Sequence, residues 1–214
     1  MSAITFVFTV VFKTQIKGFS FFVLAGILPW MFFSNALTEA AFSLVNQQSL
    51  LRQFNLPREI FPLSSIMSNF LNFLIGWLVI YPLLFFSNQK IILLFPWLII
   101  VLLLNLFFIF GLGLVFSVLN VFFRDLGHLL GVLLMFWFWM TPVFYSLDMI
   151  PSQFHWLYNF NPMAPFIIYY REVIFFAKVP DIFVIGSVCI WTFISLTLGL
   201  LVFARYEPKL LKRI

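Results

Sequence analysis

The stretch IILLFPWLIIVLLLNLFFIFGLGLVFSVLNVFF, Ile91 to Phe123, contains no charged side chain. A helix rising ~1.5 Å per residue needs about 20 apolar residues to cross a hydrocarbon layer roughly 30 Å thick, and this run is longer than that. It predicts a transmembrane helix ending near Leu119. Working outward, Phe19 to Val45, interrupted only by Glu39, Ile60 to Phe86 and Ile182 to Ala204 have the same character. A fifth run, Leu126 to Tyr145, carries His128 near one end and stops at Thr141-Pro142, a helix-breaking pair. It is about the minimum spanning length. The expected fold class is all-α: one polytopic transmembrane bundle of about five or six spans over residues 1–214.

Composition agrees. Of 214 residues 64% are hydrophobic and 9% charged, with 33 Phe and 7 Trp, whereas a soluble domain carries about 25% charged residues. A chain of this length has too little interior to hide so much apolar surface, so the excess faces lipid. The net charge of +5 does not point to nucleic acid, because the basic residues sit in connections and in the tail, as the positive-inside rule requires. Cys189 is the single cysteine, which excludes an intrachain disulfide and reads as a small core or lipid-facing residue.

At the N-terminus Met1 to Phe12 is apolar but about half a span long, with no basic n-region or small-residue cleavage site before Lys13. It reads as the end of a first span whose upstream residues are missing, or else as a half-inserted segment. Between Tyr145 and Asp181, Pro151, Asn161-Pro162, Pro165 and Pro180 break every run before spanning length. Short helices are expected there, with Ser152 and Asn161 at helix starts. The 146–181 region thus reads as a helical hairpin that dips into the membrane from one side.

Alternate connections share a side. One side collects Arg52, Arg58, Arg124, Arg205, Lys209, Lys212 and Arg213, and the other Lys13, Lys17, Lys90, Arg171 and Lys178. The bias places the 46–59 and 120–125 connections and the 205–214 tail in the cytoplasm and the hairpin outside.

The connection QQSLLRQFNLPREIFP, Gln47 to Pro62, is short and amphipathic. It is either a solvated loop whose arginines set topology or a short coupling helix that takes force from a partner protein. In the 120–125 connection Arg124 and Asp125 are adjacent. They either neutralise each other and cap the next helix, or touch a partner.

Within the spans Glu39 and His128 are the main ionisable groups, and charge at depth costs at least ~2.5–3.5 kcal/mol. An ion-coupled transporter needs more such groups at the midplane. His128 reads as a hydrogen-bonded interfacial group. There is no GxxxxGK[ST] phosphate loop, no HExxH and no nucleophile paired with a base, so no catalytic or metal-binding residue is expected and any ATP hydrolysis belongs to another chain. Aromatics make up 21% of the residues. Trp and Tyr near span ends read as interfacial anchors, while Trp30, Phe33, Trp137, Trp139 and Tyr145 are candidates for lining a passage, since aromatic faces stack on sugar rings.

Four blocks, LAGILPWMFFSNAL (24–37), NLPREIFPLSSIMSNFLNFL (55–74), NVFFRDLGHLLGVLLMFWFWMTPVFYSLDMIP (120–151) and NPMAPFIIYYREVI (161–174), together resemble the membrane subunits of bacterial ABC exporters for O-antigen, teichoic acid and capsular polysaccharides. The resemblance covers nearly the whole chain. It implies a homodimer of six-helix subunits in the cytoplasmic membrane, each with a separate nucleotide-binding ATPase subunit that holds ATP and Mg, and no cofactor in this chain. It also implies that Arg52, Asn55, Leu56, Pro57, Arg58 and Glu59 couple to the ATPase. An outer gate then corresponds to Pro151, Asn161, Pro162, Tyr169, Tyr170 and Arg171, and a lipid-linked polysaccharide passes between the subunits. The departure is the start, where the family's interfacial helix and complete first span are absent or cut short. Two other readings stay open: an exporter of a small molecule or lipid on the same scaffold, and a membrane-embedded glycosyl- or acyltransferase, for which the outer side offers only scattered Asp148, His155, Glu172 and Asp181.

Overall fold

The computed structural model describes residues 18–53, 57–87, 89–123, 125–146 and 149–210. Every regular element among them is helical. In chain order they are α1 (Phe19–Asn46), α2 (Gln48–Gln53), α3 (Ile60–Ser87), a 3-10 turn (Gln89–Leu94), α4 (Phe95–Phe122) and α5 (Leu126–Met140). A second 3-10 turn (Ser152–Phe154) leads into α6 (His155–Asn159), and α7 (Ala164–Ile174) and α8 (Ile182–Leu210) follow. Four segments are long and apolar enough to cross a bilayer: Phe19–Asn46, Ile60–Ile80, Ile91–Phe122 and Ile182–Leu210. The chain is a multi-pass membrane protein, and its outward faces are greasy to match: Leu78 is 74% exposed and Phe183 82%. The expected helix end at Met1 to Phe12 lies outside the described residues.

The fifth apolar run is shorter as a helix than its sequence suggested. α5 has 15 residues, about 22 Å of helix, less than the hydrocarbon thickness. It stops at Met140 because the ring of Pro142 disfavours helical backbone at the preceding residue, and Thr141 is extended (φ −96°, ψ 134°). The start of α5 also differs from expectation. Asp125 occupies the N-cap position but makes no side-chain cap bond. Asn120, at the end of α4, takes that role: its Oδ1 accepts the Gly127 N–H at 3.1 Å while its Nδ2 donates to Ala41 O of α1 at 2.9 Å.

Helices α4 and α8 lie closest together, because small residues face each other. A Cβ on Gly111 would overlap the Ser195 backbone, and one on Gly199 would overlap Gly111 O. The close approach lets hydroxyls bond across the seam, Ser195 Oγ to Phe108 O at 2.6 Å and Thr192 Oγ1 to Leu104 O at 3.3 Å. Lipid tails are as apolar as leucine, so such packing and hydrogen bonds hold spans together where a hydrophobic drive between helices is weak.

The centre of the bundle is aromatic. Phe33 of α1 stacks on Phe108 of α4 (6.0 Å between centroids) and meets Trp137 of α5 edge-on (5.1 Å), and Phe108 touches Phe166 of α7 (4.9 Å). Phe32 stacks on Phe73 of α3 (4.7 Å), and Tyr170 of α7 stacks on Trp77 (5.8 Å). Helix α7 is therefore surrounded: of its residues only Ile168 is not fully buried. Such enclosure is the condition under which a non-spanning segment is tolerated at membrane depth.

Candidate functional site

Most of the polar side chains singled out in the sequence fall in two regions, one at each end of the bundle. At the first end α1 runs through Gln47 into α2, and Pro57 to Glu59 form the turn that starts α3. Pro57 and Glu59 are exposed. Arg58 points inward: its Nη1 donates to Glu207 O in the last turn of α8 at 2.6 Å and lies 3.6 Å from the Glu207 carboxylate. The last four carbonyls of a helix lack intrahelical partners, and a cation at that end also complements the helix dipole. Beneath the turn Leu51 of α2, Phe61 of α3, Val121 of α4 and Phe203 and Leu210 of α8 share one apolar cluster. The connection is thus seated on the ends of α4 and α8. Arg52 belongs to α2, Asn55, Leu56 and Arg124 lie outside the described residues, and Asp125 is exposed.

At the other end the hairpin is built around Asn161. Its Oδ1 accepts the Trp137 indole N–H at 2.8 Å and the Met163 N–H at 3.1 Å, and its Nδ2 donates to Met140 O at 3.1 Å and Thr141 Oγ1 at 3.0 Å. Asn161 therefore closes a turn two residues long and stitches the hairpin to the end of α5. It does not cap α7, whose N-cap is Met163 with Pro165 in the first turn. Pro162 lies inside that turn. Ser152 begins the 3-10 turn after the exposed Pro151.

Arg171 of α7 is 4% exposed. Its guanidinium donates to Val143 O (2.5 Å), Tyr145 O (3.0 Å) and Phe22 O (3.4 Å), and its centre lies 3.6 Å from the Phe22 ring centroid. One side chain thus binds α1 and the 141–146 turn to α7. The neighbouring Glu172 takes the Lys178 ammonium at 2.7 Å and the Asp181 N–H at 3.0 Å, which fixes the approach to α8. In the 141–146 turn the Tyr145 hydroxyl bonds Trp139 O and Tyr158 Oη, each at 3.2 Å. Burial, then the bond to Tyr158, push that phenol well above its ordinary range.

The structure separates the passage candidates. Trp30 and Phe33 are buried in the core, and Trp137 is half-buried with its N–H on Asn161. Trp139 is 63% exposed, on an α5 face it shares with Phe136 and Met140. Tyr169 and Tyr170 are fully enclosed in α7, and Tyr170 Oη accepts Asn105 Nδ2 at 3.4 Å. Glu39 has a partner that its own segment does not supply: Asn69 of α3 donates to its carboxylate at 2.6 Å. His128 is exposed near the start of α5. Among the described residues no group of three or more His, Cys, Asp or Glu is placed to hold a metal ion.

Sequence reasoning missed Glu207 as the receiver of Arg58 and Asn161 as the hub of the hairpin. The only signal for either was a polar residue retained next to a long apolar run.

Residues 1–175 match the family of ABC-2 type transporters. An O-antigen export system permease protein RfbA of Klebsiella pneumoniae is 34% identical over 205 residues, 95% of this chain and 79% of that protein. A second protein of that name from the same organism is 34% identical over 78% of this chain and 65% of its own length. One from Myxococcus xanthus is 31% identical over 81% of this chain and 68% of its own.

Proposed function

The chain belongs to the ABC-2 type transporter family, and from that premise we propose that it is the permease subunit of an exporter that moves a lipid-linked, O-antigen-type polysaccharide across the cytoplasmic membrane. The observation that carries the proposal is the 34% identity to an O-antigen export permease over 95% of the chain. The chain makes and breaks no covalent bond. It offers two membrane conformations, and ATP hydrolysis in a separate nucleotide-binding subunit shifts their relative stability.

The geometry supports a route for the force. The partner bears on the exposed Pro57 and Glu59, from the cytoplasmic side on which the C-terminus also lies. Arg58 passes the displacement to the end of α8 through Glu207, and the tight α4–α8 seam carries it along the membrane normal. Two copies of the chain bring their α5 faces together, so that Phe136 and Trp139 line the passage and slide along sugar rings. At the other end the region from Pro151 to Arg171 gates the exit, its exposed stretch before α7 swinging while α7 stays as the fixed side of the gate.

The test is reconstitution of the chain with a nucleotide-binding subunit carrying a Walker motif, followed by measurement of ATP-dependent appearance of lipid-linked glycan on the far face of the vesicle. ATP-dependent transport of glycan supports the reading. Transport of a small molecule or a lipid without glycan replaces it with the other exporter reading.

A further inference from the structure

We propose that the cavity beside Arg171 is a binding site for a phosphate group carried on an apolar chain. The cavity has about 400 Å³ of space, opens at the hairpin end of the bundle, and is lined by Arg171, Glu172 and Lys178 together with apolar walls that include Phe22, Ile168 and Phe176. That volume is in the range of small-ligand sites. The argument is one of charge. Glu172 is already neutralised by Lys178 and the Asp181 N–H, and the Asp181 carboxylate is turned to the Phe183 N–H at 2.9 Å. Arg171 is different: among the described residues no carboxylate forms an ion pair with it, and its partners are three main-chain carbonyls and a ring face. A guanidinium has five N–H donors, so two remain for a further acceptor. A buried cation balanced only by dipoles favours an anion within reach, and the planar donor fork suits phosphate oxygens. The apolar walls select what carries the phosphate, because a free hydrated anion gains nothing from Phe22, Ile168 and Phe176 while a lipid chain does. The inference is independent of the exporter reading and rests only on the membrane fold.

The experiment uses the full chain in nanodiscs. Retention of two probes, phosphatidylglycerol and undecaprenyl phosphate, is read by native mass spectrometry with inorganic phosphate as competitor. The wild-type chain retains at least one probe, and Ile168→Glu, which places a carboxylate at a half-buried wall, lowers retention at least tenfold without lowering the melting temperature. Arg171→Gln gives the same loss if it folds. Retention of phosphatidylglycerol alone identifies a bulk-lipid headgroup and of undecaprenyl phosphate alone a polyprenyl carrier, and either result supports the site. Equal retention by wild type and Ile168→Glu overturns it, as does displacement by inorganic phosphate at the lipid's own concentration. Asp148 lies outside the described residues, and Asp148→Asn should leave retention unchanged. A gain on that substitution would make Asp148 the counter-ion of Arg171 and would also overturn the proposal.

Discussion

Arg58 and Glu207 lie 149 positions apart in the chain, yet the arginine closes on the glutamate's main-chain oxygen at 2.6 Å and lies 3.6 Å from its carboxylate. The two contacts are unequal. A charge-assisted bond to a carbonyl contributes about 1.5–3 kcal/mol, whereas a partly exposed ion pair contributes roughly 0–1. Arg58→Ala should therefore lower the melting temperature in detergent clearly, and Glu207→Ala, which keeps the carbonyl, hardly at all. Arg58→Glu should also cut transport and co-purification with the ATPase while leaving membrane insertion intact. Unchanged co-purification would count against a coupling role.

Asn161 should be intolerant of change. Asn161→Ala removes four hydrogen bonds and leaves the Trp137 indole N–H without its partner. The expected cost is about 3 kcal/mol, seen as a lower thermal midpoint with an early change in tryptophan emission. If Asn161→Ala melts with the wild type, the hairpin is held by something else.

Glycines of α8 should answer in opposite directions. Gly199→Ala drives a methyl into the Gly111 backbone and should sharply reduce the yield of folded protein. Gly186 has open space where a Cβ would go, so Gly186→Ala should stabilise by about 0.5–1 kcal/mol through helix propensity. Side-by-side thermal scans of the two variants check the pair.

Glu39 and Asn69 form a span-to-span bond at 2.6 Å. Asn69→Leu leaves the carboxylate without this donor and should destabilise by about 1–3 kcal/mol. Glu39→Gln keeps a hydrogen-bonding group, removes the charge, and should insert at least as well as wild type. Efficiency of membrane integration of the two variants in vitro tells them apart, and equal loss in both would show that the charge itself is needed.

Much of the fold was readable from long-range apolarity. The starts of α1, α3 and α8 fall where uncharged runs begin, but two ends were misjudged. Helix α4 continues to Phe122 instead of stopping near Leu119. Helix α8 runs past Ala204 through Arg205, Glu207 and Lys209 to Leu210, because its last turns pack on the end of α4 and take the Arg58 guanidinium. The break at Thr141-Pro142 and the short pieces after Pro151 follow from proline geometry. The finer polar contacts were not readable. Asp125 stands at the start of α5 with the right chemistry for a cap, but Asn120 on the preceding helix reaches the Gly127 N–H instead. Arg58 sits in a motif-rich turn, but nothing local says that its partner is Glu207. Trp30 and Trp139 look alike in sequence, yet one is 6% and the other 63% exposed, a difference decided by which helix faces meet. Patterns within a helix fix that helix, while contacts between helices depend on packing that no single segment encodes.

The enclosure of α7 limits how this end of the molecule can move. Like a keystone, α7 bears on α1, α3, α4 and α5 at once, through Arg171, Tyr170, Phe166 and the Asn161 stitch that precedes it. To withdraw it intact would strand a cation and open a void among aromatic rings, so the arch around it has to shift as one piece. On the gate reading proposed above, opening falls to the stretch ahead of it, where Phe154, Trp156 and Phe160 stand exposed and can swing with little loss of packing.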